Sequence, residues 1–473
     1  MVNSRSGIIA TAWSFVEKLS TQAISFIIGI FLARLLSPYD YGVVGLTVIF
    51  ITLSNVFIDA GFANALIQNQ QRTEKDLSTA FYFNIIIGII IYACLWIITP
   101  GIALWFNEPL LTSLLRLVGI NIILNSLCIV QTAVLTAQLN IRIQTLINLA
   151  AQIPAGLVAI FFAFNGFGVY ALALQSVLSS LIRTVLLWCF AGWRPRENFC
   201  KKSFIKLWNY GSKLLGANLI GTIFNQFYSV AIGKYIGKTE LGFYSKAFGL
   251  SSNIDGVTSG LVQKVALPVL AMHQQNVAVL TVKFREIMCL LIIFLAPLSA
   301  FSCFAANDII TLLWTNKWSS CTPLFQILIM SIMFNPICQM SLSLMQSMGR
   351  TDLVLKLEFP KKIIYCIYLA IGFSYNVKGL VMAQLFINMT GAFINIWATH
   401  KLLPYSYKKQ LIDLFVYVFL AFVIGGCMAI FIQFNNHVLN IVFLFVSIYC
   451  IYIAVLIISN DAVFKKYIKK IIL

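Results

Sequence analysis

Long apolar stretches alternate with short polar segments along the whole chain. Fourteen such stretches are present, and most reach the ~20 residues that a helix needs to cross the ~30 Å hydrocarbon core of a bilayer. They cover residues 8–32, 42–63, 78–98, 110–135, 145–164, 167–190, 214–236, 247–271, 287–306, 323–348, 363–373, 377–402, 411–434 and 439–458. We expect helices because a helix satisfies every backbone N–H and C=O internally where water is absent. The pattern predicts an all-α integral membrane protein with about fourteen transmembrane helices.

The eleventh stretch is the weakest of the fourteen. Lys361 and Lys362 interrupt its beginning, so it must borrow residues from 353–359 to reach the required length. The composition nevertheless supports a membrane protein, since 60% of the residues are hydrophobic and only 10% are charged. Soluble domains carry about 25% charged residues.

Basic residues occupy every second polar gap. With the N-terminus in the cytoplasm, 23 of the 33 Lys and Arg residues fall in cytoplasmic segments, six in outward segments and four within the stretches. This bias follows the positive-inside rule, so both termini are predicted to be cytoplasmic (N-in, C-in) and the number of spans even. The net charge of +18 is therefore a topology signal that also attracts anionic membrane lipids, and no nucleic-acid partner is expected.

The two halves of the chain align at a spacing of 200 residues. The segment 37–42 then lies over 237–242, and 59–64 aligns with 258–263 at a similar spacing. Six spans in each half make this a parallel pseudo-repeat, an arrangement typical of transporters that rock two bundles around a central site. We predict a six-helix lobe over residues 1–200, a second over 201–403, and two additional helices with a basic cytoplasmic tail over 404–473.

Sequence signatures of catalysis or of a cofactor are not apparent. The three histidines are far apart, the eleven cysteines form no C-x-x-C pair, and the outward loops hold only isolated carboxylates rather than a pair suited to acid/base work. We expect no metal, no cofactor and no enzymatic activity. Cys303 and Cys321 flank an outward loop, where either a disulfide or two thiols is compatible with the sequence.

Three local runs carry a resemblance to a known family. They are LLSPxxYG at 35–42, DAGFANALIQ at 59–68 and LGFYSKA at 241–247. In their order and spacing they resemble the bacterial polysaccharide flippases of the multidrug/oligosaccharidyl-lipid/polysaccharide exporter superfamily, over nearly the whole length and most closely over 1–275.

The resemblance implies a V-shaped pair of six-helix lobes in the bacterial inner membrane, with a cavity lined mainly by spans one, two, seven and eight. The implied cargo is an undecaprenyl-diphosphate-linked oligosaccharide repeat unit for O-antigen, capsule, exopolysaccharide or teichuronic acid, moved by alternating access. A coupling proton or sodium ion and a polymerase or other assembly partner are also implied.

Polar residues in these four spans are the candidate site, because an ionisable side chain at bilayer depth costs about 2.5–3.5 kcal/mol and is by default functional. Lys18 and Lys264 are candidates for contacting the diphosphate or acidic sugars. The remaining cavity candidates are Glu17, Gln22, Asn218, Asn225, Gln226 and Gln263, and the candidates for ion coupling are Asp59 and Asp255. Structural alternatives stay open: ion pairing or snorkelling for the lysines, helix capping for Asp59, and helix–helix contacts for the amides. Arg116 and Arg183, in spans four and six, can equally brace one lobe or contact substrate.

Three other functions fit parts of the pattern. A drug or metabolite exporter of the same superfamily shares the fold but usually stops at twelve spans. A peptidoglycan-precursor flippase also has fourteen spans, although the three runs above are more similar to the polysaccharide branch. An integral-membrane polymerase or glycosyltransferase is disfavoured, since such enzymes normally present a large outward loop with catalytic residues.

Overall fold

The computed structural model describes residues 4–69 and 71–459. Within these ranges the chain is helical and contains no β-strand. The α-helices are α1 (Ser4–Leu35), α2 (Pro38–Asp59), α3 (Phe62–Gln68), α4 (Glu74–Phe106), α5 (Leu110–Ser126), α6 (Ile129–Ala137), α7 (Ile141–Phe164), α8 (Val169–Phe190), α9 (Lys201–Ala231), α10 (Lys238–Met272), α11 (Val277–Phe304), α12 (Ala306–Trp314), α13 (Cys321–Ile332), α14 (Asn335–Ser347), α15 (Thr351–Phe373), α16 (Asn376–Leu402), α17 (Tyr407–Phe431) and α18 (His437–Ile458). A π-helical turn, Ile232–Ile236, follows α9, and a 3₁₀ turn, Asn316–Trp318, follows α12. The predicted all-α membrane fold is confirmed.

The helices give fewer candidate membrane spans than the apolar pattern does. In the described residues, ten helices are long and apolar enough to cross a membrane, or eleven if α5 and α6 form one bent span. Three further long helices, α9, α10 and α15, coincide with predicted spans seven, eight and eleven but are less apolar. The count of fourteen and the parallel repeat therefore stay predictions.

Contacts divide the chain into two compact units, one up to Ser245 and the other from Lys246 onward. This division falls within α10 and not at the predicted boundaries of 200 and 403. The predicted boundaries follow the order of the spans along the chain, whereas the two units reflect which residues contact one another. The two divisions describe different properties, so the lobe assignment remains a prediction.

In the first unit, α1 packs closely on α7. Ile28 and Leu32 of α1 share a buried cluster with Ala159 and Ala163 of α7. A methyl group at Gly156 would lie 2.1 Å from Cδ1 of Ile28. Small residues let membrane helices approach closely, since packing replaces the hydrophobic effect as the force between helices in lipid.

The first turns of α2 and α10 meet through two glycines 200 residues apart. A Cβ at Gly42 would lie 1.7 Å from the carbonyl oxygen of Lys238, and a Cβ at Gly242 would lie 1.8 Å from that of Pro38. These are contacts with backbone atoms, which cannot rotate away, so only glycine fits at either position. The reciprocity of this glycine contact supports the proposed repeat.

In the second unit, α17 is fixed to α11 by a polar contact at one end of their shared apolar core. Nε of Arg285 donates to Oδ2 of Asp413 at 2.6 Å, and Nη2 donates to Oδ1 at 3.0 Å. The hydroxyl of Tyr405 donates to the same carboxylate. Cys303 and Cys321, also in this unit, are not joined by a disulfide.

Replacing Asp413 by Asn should loosen the docking of α17. The substitution removes the charge that both Arg285 and Tyr405 face, and hydrogen bonds to charged groups contribute about 1.5–3 kcal/mol. We expect a lower Tm in detergent and faster proteolysis around α17. Asp352→Asn is the matched control, because the Arg350–Asp352 pair has both side chains about half exposed and should change stability by less than about 1 kcal/mol. Equal effects of the two variants would contradict the assignment.

Candidate functional site

The first unit contains two neighbouring cavities whose walls include polar side chains. The first cavity, about 660 Å³, is lined by α2, α3, α5, α6, α8 and α9. The second cavity, about 300 Å³, is lined by α1, α7 and α8. Arg183 of α8 lines both, so a single guanidinium connects the two spaces.

A bend between α5 and α6 shapes the wall of the first cavity. The two helices meet at 42°, with Leu127 and Cys128 between them. Side chains of α8 contact this bend: Oγ1 of Thr184 donates to the carbonyl of Leu124 at 3.2 Å, and Nε1 of Trp188 donates to that of Leu127 at 3.3 Å. A break in a membrane helix leaves carbonyls that neighbouring helices must satisfy. These bonds fix the face of α8 that carries Arg183.

A second break, between α2 and α3, lies on the same cavity. Ala60 and Gly61 have left-handed φ angles of 45° and 75°. Oδ1 of Asp59 accepts the N–H of Ala63 at 3.0 Å and so caps the new helix. A Cβ at Gly211 of α9 would lie 2.4 Å from the carbonyl oxygen of Ala60, so this turn and α9 are in close contact.

Neutral amides and hydroxyls supply most of the polar lining of the first cavity. Nδ2 of Asn125 donates to Oδ1 of Asn55 at 3.2 Å, which joins α5 to α2. Asn218, Thr222 and Asn225 of α9 also line the cavity. They are spaced i, i+4 and i+7, so they occupy one face of the helix.

Arg183 is the basic residue of this lining. Its Nη2 donates to the hydroxyl of Thr132 at 3.4 Å. Within the described residues, no carboxylate forms an ion pair with it at 4.0 Å or less. A guanidinium has five N–H donors, so most of its hydrogen-bonding capacity is available to a ligand in either cavity.

Arg183 and Glu17 both line the second cavity. Nδ2 of Asn148 donates to Oε1 of Glu17 at 2.7 Å, and Nε2 of Gln152 donates to the hydroxyl of Ser25 at 3.3 Å. These contacts join α7 to α1 by hydrogen bonds of neutral amides. Arg183 therefore faces an acidic, amide-rich space on one side and the larger, mainly neutral first cavity on the other.

The structure brings together only part of the predicted site. Asp59, Asn218 and Asn225 line the first cavity, and Glu17 lines the second. Of the other predicted residues, Lys18 is exposed, Gln22 and Gln226 are half-buried, and none of the three lines either of these two cavities. Asp255 lies in the second unit and accepts a hydrogen bond from Ser259 at 3.1 Å. Gln263 and Lys264 belong to α10, but their side chains lie outside the described residues. The proposed roles of all ten remain predictions.

Several polar lining residues, Thr222 among them, were not singled out as site candidates from the sequence. Arg183 was left equally open to a bracing role, and Asn55, Asn125 and Asn148 were not considered. The signal that could have identified them is a polar side chain in the middle of an apolar span, which is the criterion that selected the other site candidates. It was applied only to the four spans that the resemblance implicated, whereas Arg183, Asn125 and Asn148 lie on other helices.

The arrangement suits binding of a ligand with both hydroxyl groups and an anionic group. Amides donate and accept hydrogen bonds, as sugar hydroxyls require, and a guanidinium can bind two phosphate oxygens at once. Of the helices that line the two cavities, α1, α2, α7 and α8 meet the length and hydropathy requirements of membrane spans, and α5 with α6 does so as a bent pair. A polar ligand held there would be sheltered from lipid.

Comparison with known proteins gives consistent results. The family model described as "Polysaccharide biosynthesis protein" matches residues 31–323. The succinoglycan biosynthesis transport protein ExoT of Rhizobium meliloti (strain 1021) is 25% identical over 267 residues, which are 56% of this chain and 54% of ExoT, so that match spans about half of the relative. The teichuronic acid biosynthesis protein TuaB of Bacillus subtilis (strain 168) is 23% identical over 384 residues, 80% of this chain and 78% of TuaB.

A solved structure shares the fold over almost the full length. The inward closed conformation of the lipid II flippase MurJ superposes with a TM-score of 0.71 at 12% identity, covering 96% of this chain and 99% of MurJ. This likeness confirms the fold class. Together with the apolar helices, it agrees with a multi-pass membrane protein.

Proposed function

Because the chain belongs to the family of polysaccharide biosynthesis proteins, we propose that it is a flippase for undecaprenyl-diphosphate-linked oligosaccharide repeat units. It moves them across the inner membrane by alternating access, for assembly of a surface polysaccharide. The observation that carries this proposal is the pair of cavities that share Arg183 inside an apolar bundle. The named relatives that act in transport, ExoT and the flippase MurJ, support transport over catalysis.

The chemistry of the cavities matches the two polar parts of this cargo. Arg183 is the contact for the diphosphate, since planar guanidinium groups bind phosphate oxygens in a bidentate manner. Asn218, Thr222 and Asn225 are the contacts for the sugar hydroxyls. The polyprenyl chain needs no polar site because it stays in the lipid.

The driving ion and the protein partners belong to the same proposal. Asp59 and Asp255 are the carboxylates assigned to a coupling proton or sodium ion. Asp59 lines the first cavity with one oxygen engaged by the N–H of Ala63, and a carboxylate has further lone pairs for a cation. A polymerase or another assembly protein would receive the repeat unit on the outer side.

Deleting the gene should leave undecaprenyl-linked repeat units trapped on the cytoplasmic side and remove the surface glycan. Lipid extracts analysed by mass spectrometry, together with surface glycan staining, measure both effects, and expression of the intact chain should reverse them. Unchanged surface glycan with altered drug resistance would instead identify a drug exporter. Release of polymer from lipid-linked units by the purified protein would identify a polymerase.

Replacing Arg183 by Gln should impair transport without unfolding the protein. The variant loses charged hydrogen bonds to the diphosphate, about 1.5–3 kcal/mol, which corresponds to roughly 10- to 100-fold weaker binding. Glycan display in the complemented deletion strain measures the loss. Arg116→Gln is the matched control, because Arg116 packs 4.5 Å over the ring of Trp96 and lines neither cavity. An equal loss in both variants would point to bracing of the helices instead.

Reversing the charge at Lys18, by Lys18→Glu, should abolish glycan display while the protein remains in the membrane at its normal level. The reason is repulsion between a carboxylate and an anionic cargo that passes α1. Lys18→Arg, which keeps the charge, should display glycan normally. Normal display by Lys18→Glu would remove Lys18 from the site and leave Arg183 as its cation.

A further inference from the structure

Two lysines at the junction of α9 and α10 contact the end of α4. Nζ of Lys234 donates to the carbonyl of Trp105 and lies 5.0 Å from the centre of the Trp105 ring. Nζ of Lys238 donates to the carbonyl of Asn107 at 3.2 Å. Both carbonyls belong to the last turn and C-cap of α4, where no intrahelical donor is available and the helix dipole is negative. The two cations therefore satisfy a helix end.

Lys234 lies in a π-helical turn, and Lys238 is the first residue of α10. Residues Ile232–Ile236 form the turn, and the N–H of Gly237 closes it by donating to the carbonyl of Ile232 at 2.9 Å. Single π turns are rare and occur frequently at functional sites. Gly237 has a φ of 153° and no heavy atom within 4 Å of the position of a Cβ, so this junction has conformational freedom.

The beginning of α2 contacts the same turn after α4. The hydroxyl of Tyr39 donates to Oε2 of Glu108 at 2.6 Å, and Glu108 is only 5% exposed. The start of α2 and the junction of α9 and α10 therefore both contact residues 105–108. Between these two docking points lies the reciprocal contact of Gly42 and Gly242, where the backbones touch.

We propose that Lys234 and Lys238, bound to the carbonyls of Trp105 and Asn107, form a releasable latch that keeps the outward side of the first cavity closed. The proposal rests on the proposed flippase function and on the predicted N-in orientation, which places this end of the bundle outside. The glycine contact provides a closed seal without side chains that must be moved aside. The lysine contacts hold that seal and are exchangeable with water, each favouring closure by roughly two- to fivefold.

Accessibility of a cysteine in the seal tests the latch. A Cβ at Gly45 would lie 3.2 Å from Oγ of Ser245, so a Gly45→Cys side chain is covered only while α2 and α10 are in contact. Its labelling rate with a membrane-impermeant maleimide added outside reports the open fraction. Combining it with Lys234→Gln and Lys238→Gln should raise that rate by roughly 4- to 25-fold if the two contributions multiply.

Two control backgrounds separate the latch from general loss of charge or fold. Lys378→Gln removes one exposed lysine from the same predicted face and should leave the rate unchanged. Lys234→Arg with Lys238→Arg keeps both cations and should return the rate to within about twofold of the unmodified lysines. An unchanged rate in the double Gln variant, or an equal rise in Lys378→Gln, would overturn the latch.

A crosslink then relates the seal to transport. Gly45→Cys with Ser245→Cys places two thiols within disulfide reach, and oxidation should stop glycan display until a reductant is added. If glycan display continued after complete crosslinking, the proposal that the contact between α2 and α10 opens during transport would be overturned. The labelling assay needs no cargo, so absence of repeat-unit transport by the unmodified chain would refute the flippase function and leave the latch measurement standing.

Discussion

The architecture of the first unit depends on satisfying the backbone groups that are exposed where a helix breaks inside an apolar bundle. At the α5–α6 bend, Thr184 and Trp188 supply the missing donors, and at the end of α4 Lys234 and Lys238 do so. At the α2–α3 turn the side chain of Asp59 accepts the free N–H. At each break, a side chain from a neighbouring helix or a capping side chain therefore satisfies the free backbone group. Water fills this role in a soluble protein, but lipid cannot.

The same requirement explains how polar side chains are tolerated in the cavities. An unpaired amide or carboxylate at bilayer depth is costly, and here Asn125 bonds to Asn55 and Asn148 bonds to Glu17. Each pair joins two helices and still leaves donors or acceptors for a ligand, because an amide has four hydrogen-bonding positions. Within the described residues, Arg183 donates a hydrogen bond to Thr132 and forms no ion pair at 4.0 Å or less. A site for an anion needs a cation whose charge is not already neutralised by the protein.

The sequence predicts where the helices lie better than it predicts which face of each helix lines a cavity. Helices over most of the fourteen stretches follow from hydropathy and the backbone argument alone, whereas α9, α10 and α15 are ambiguous because polar residues lower their hydropathy. Asp59, Asn218 and Asn225, which were chosen from the sequence, line the first cavity, and their roles stay predictions. The sequence alone could not decide between the two roles of Arg183, because the face of α8 that points toward the cavities depends on the α5–α6 bend. That bend contains no proline or glycine and gives no local signal.

The position of α9 shows why a boundary drawn from a repeat need not coincide with a boundary of packing. Gly211 meets the turn at Ala60, and a Cβ at Gly233 would lie 2.4 Å from Cδ2 of Leu46. These two close contacts are 22 residues apart, roughly 33 Å along a helix, which is the thickness of the hydrocarbon core. Asn218 and Asn225 follow Gly211 at steps of seven residues, so the same face is tight at its ends and polar in its middle. Between these two contacts, α9 presents Asn218, Thr222 and Asn225 to the first cavity. A boundary of packing follows such contacts between helices, whereas the boundary of the repeat follows the order of the spans along the chain.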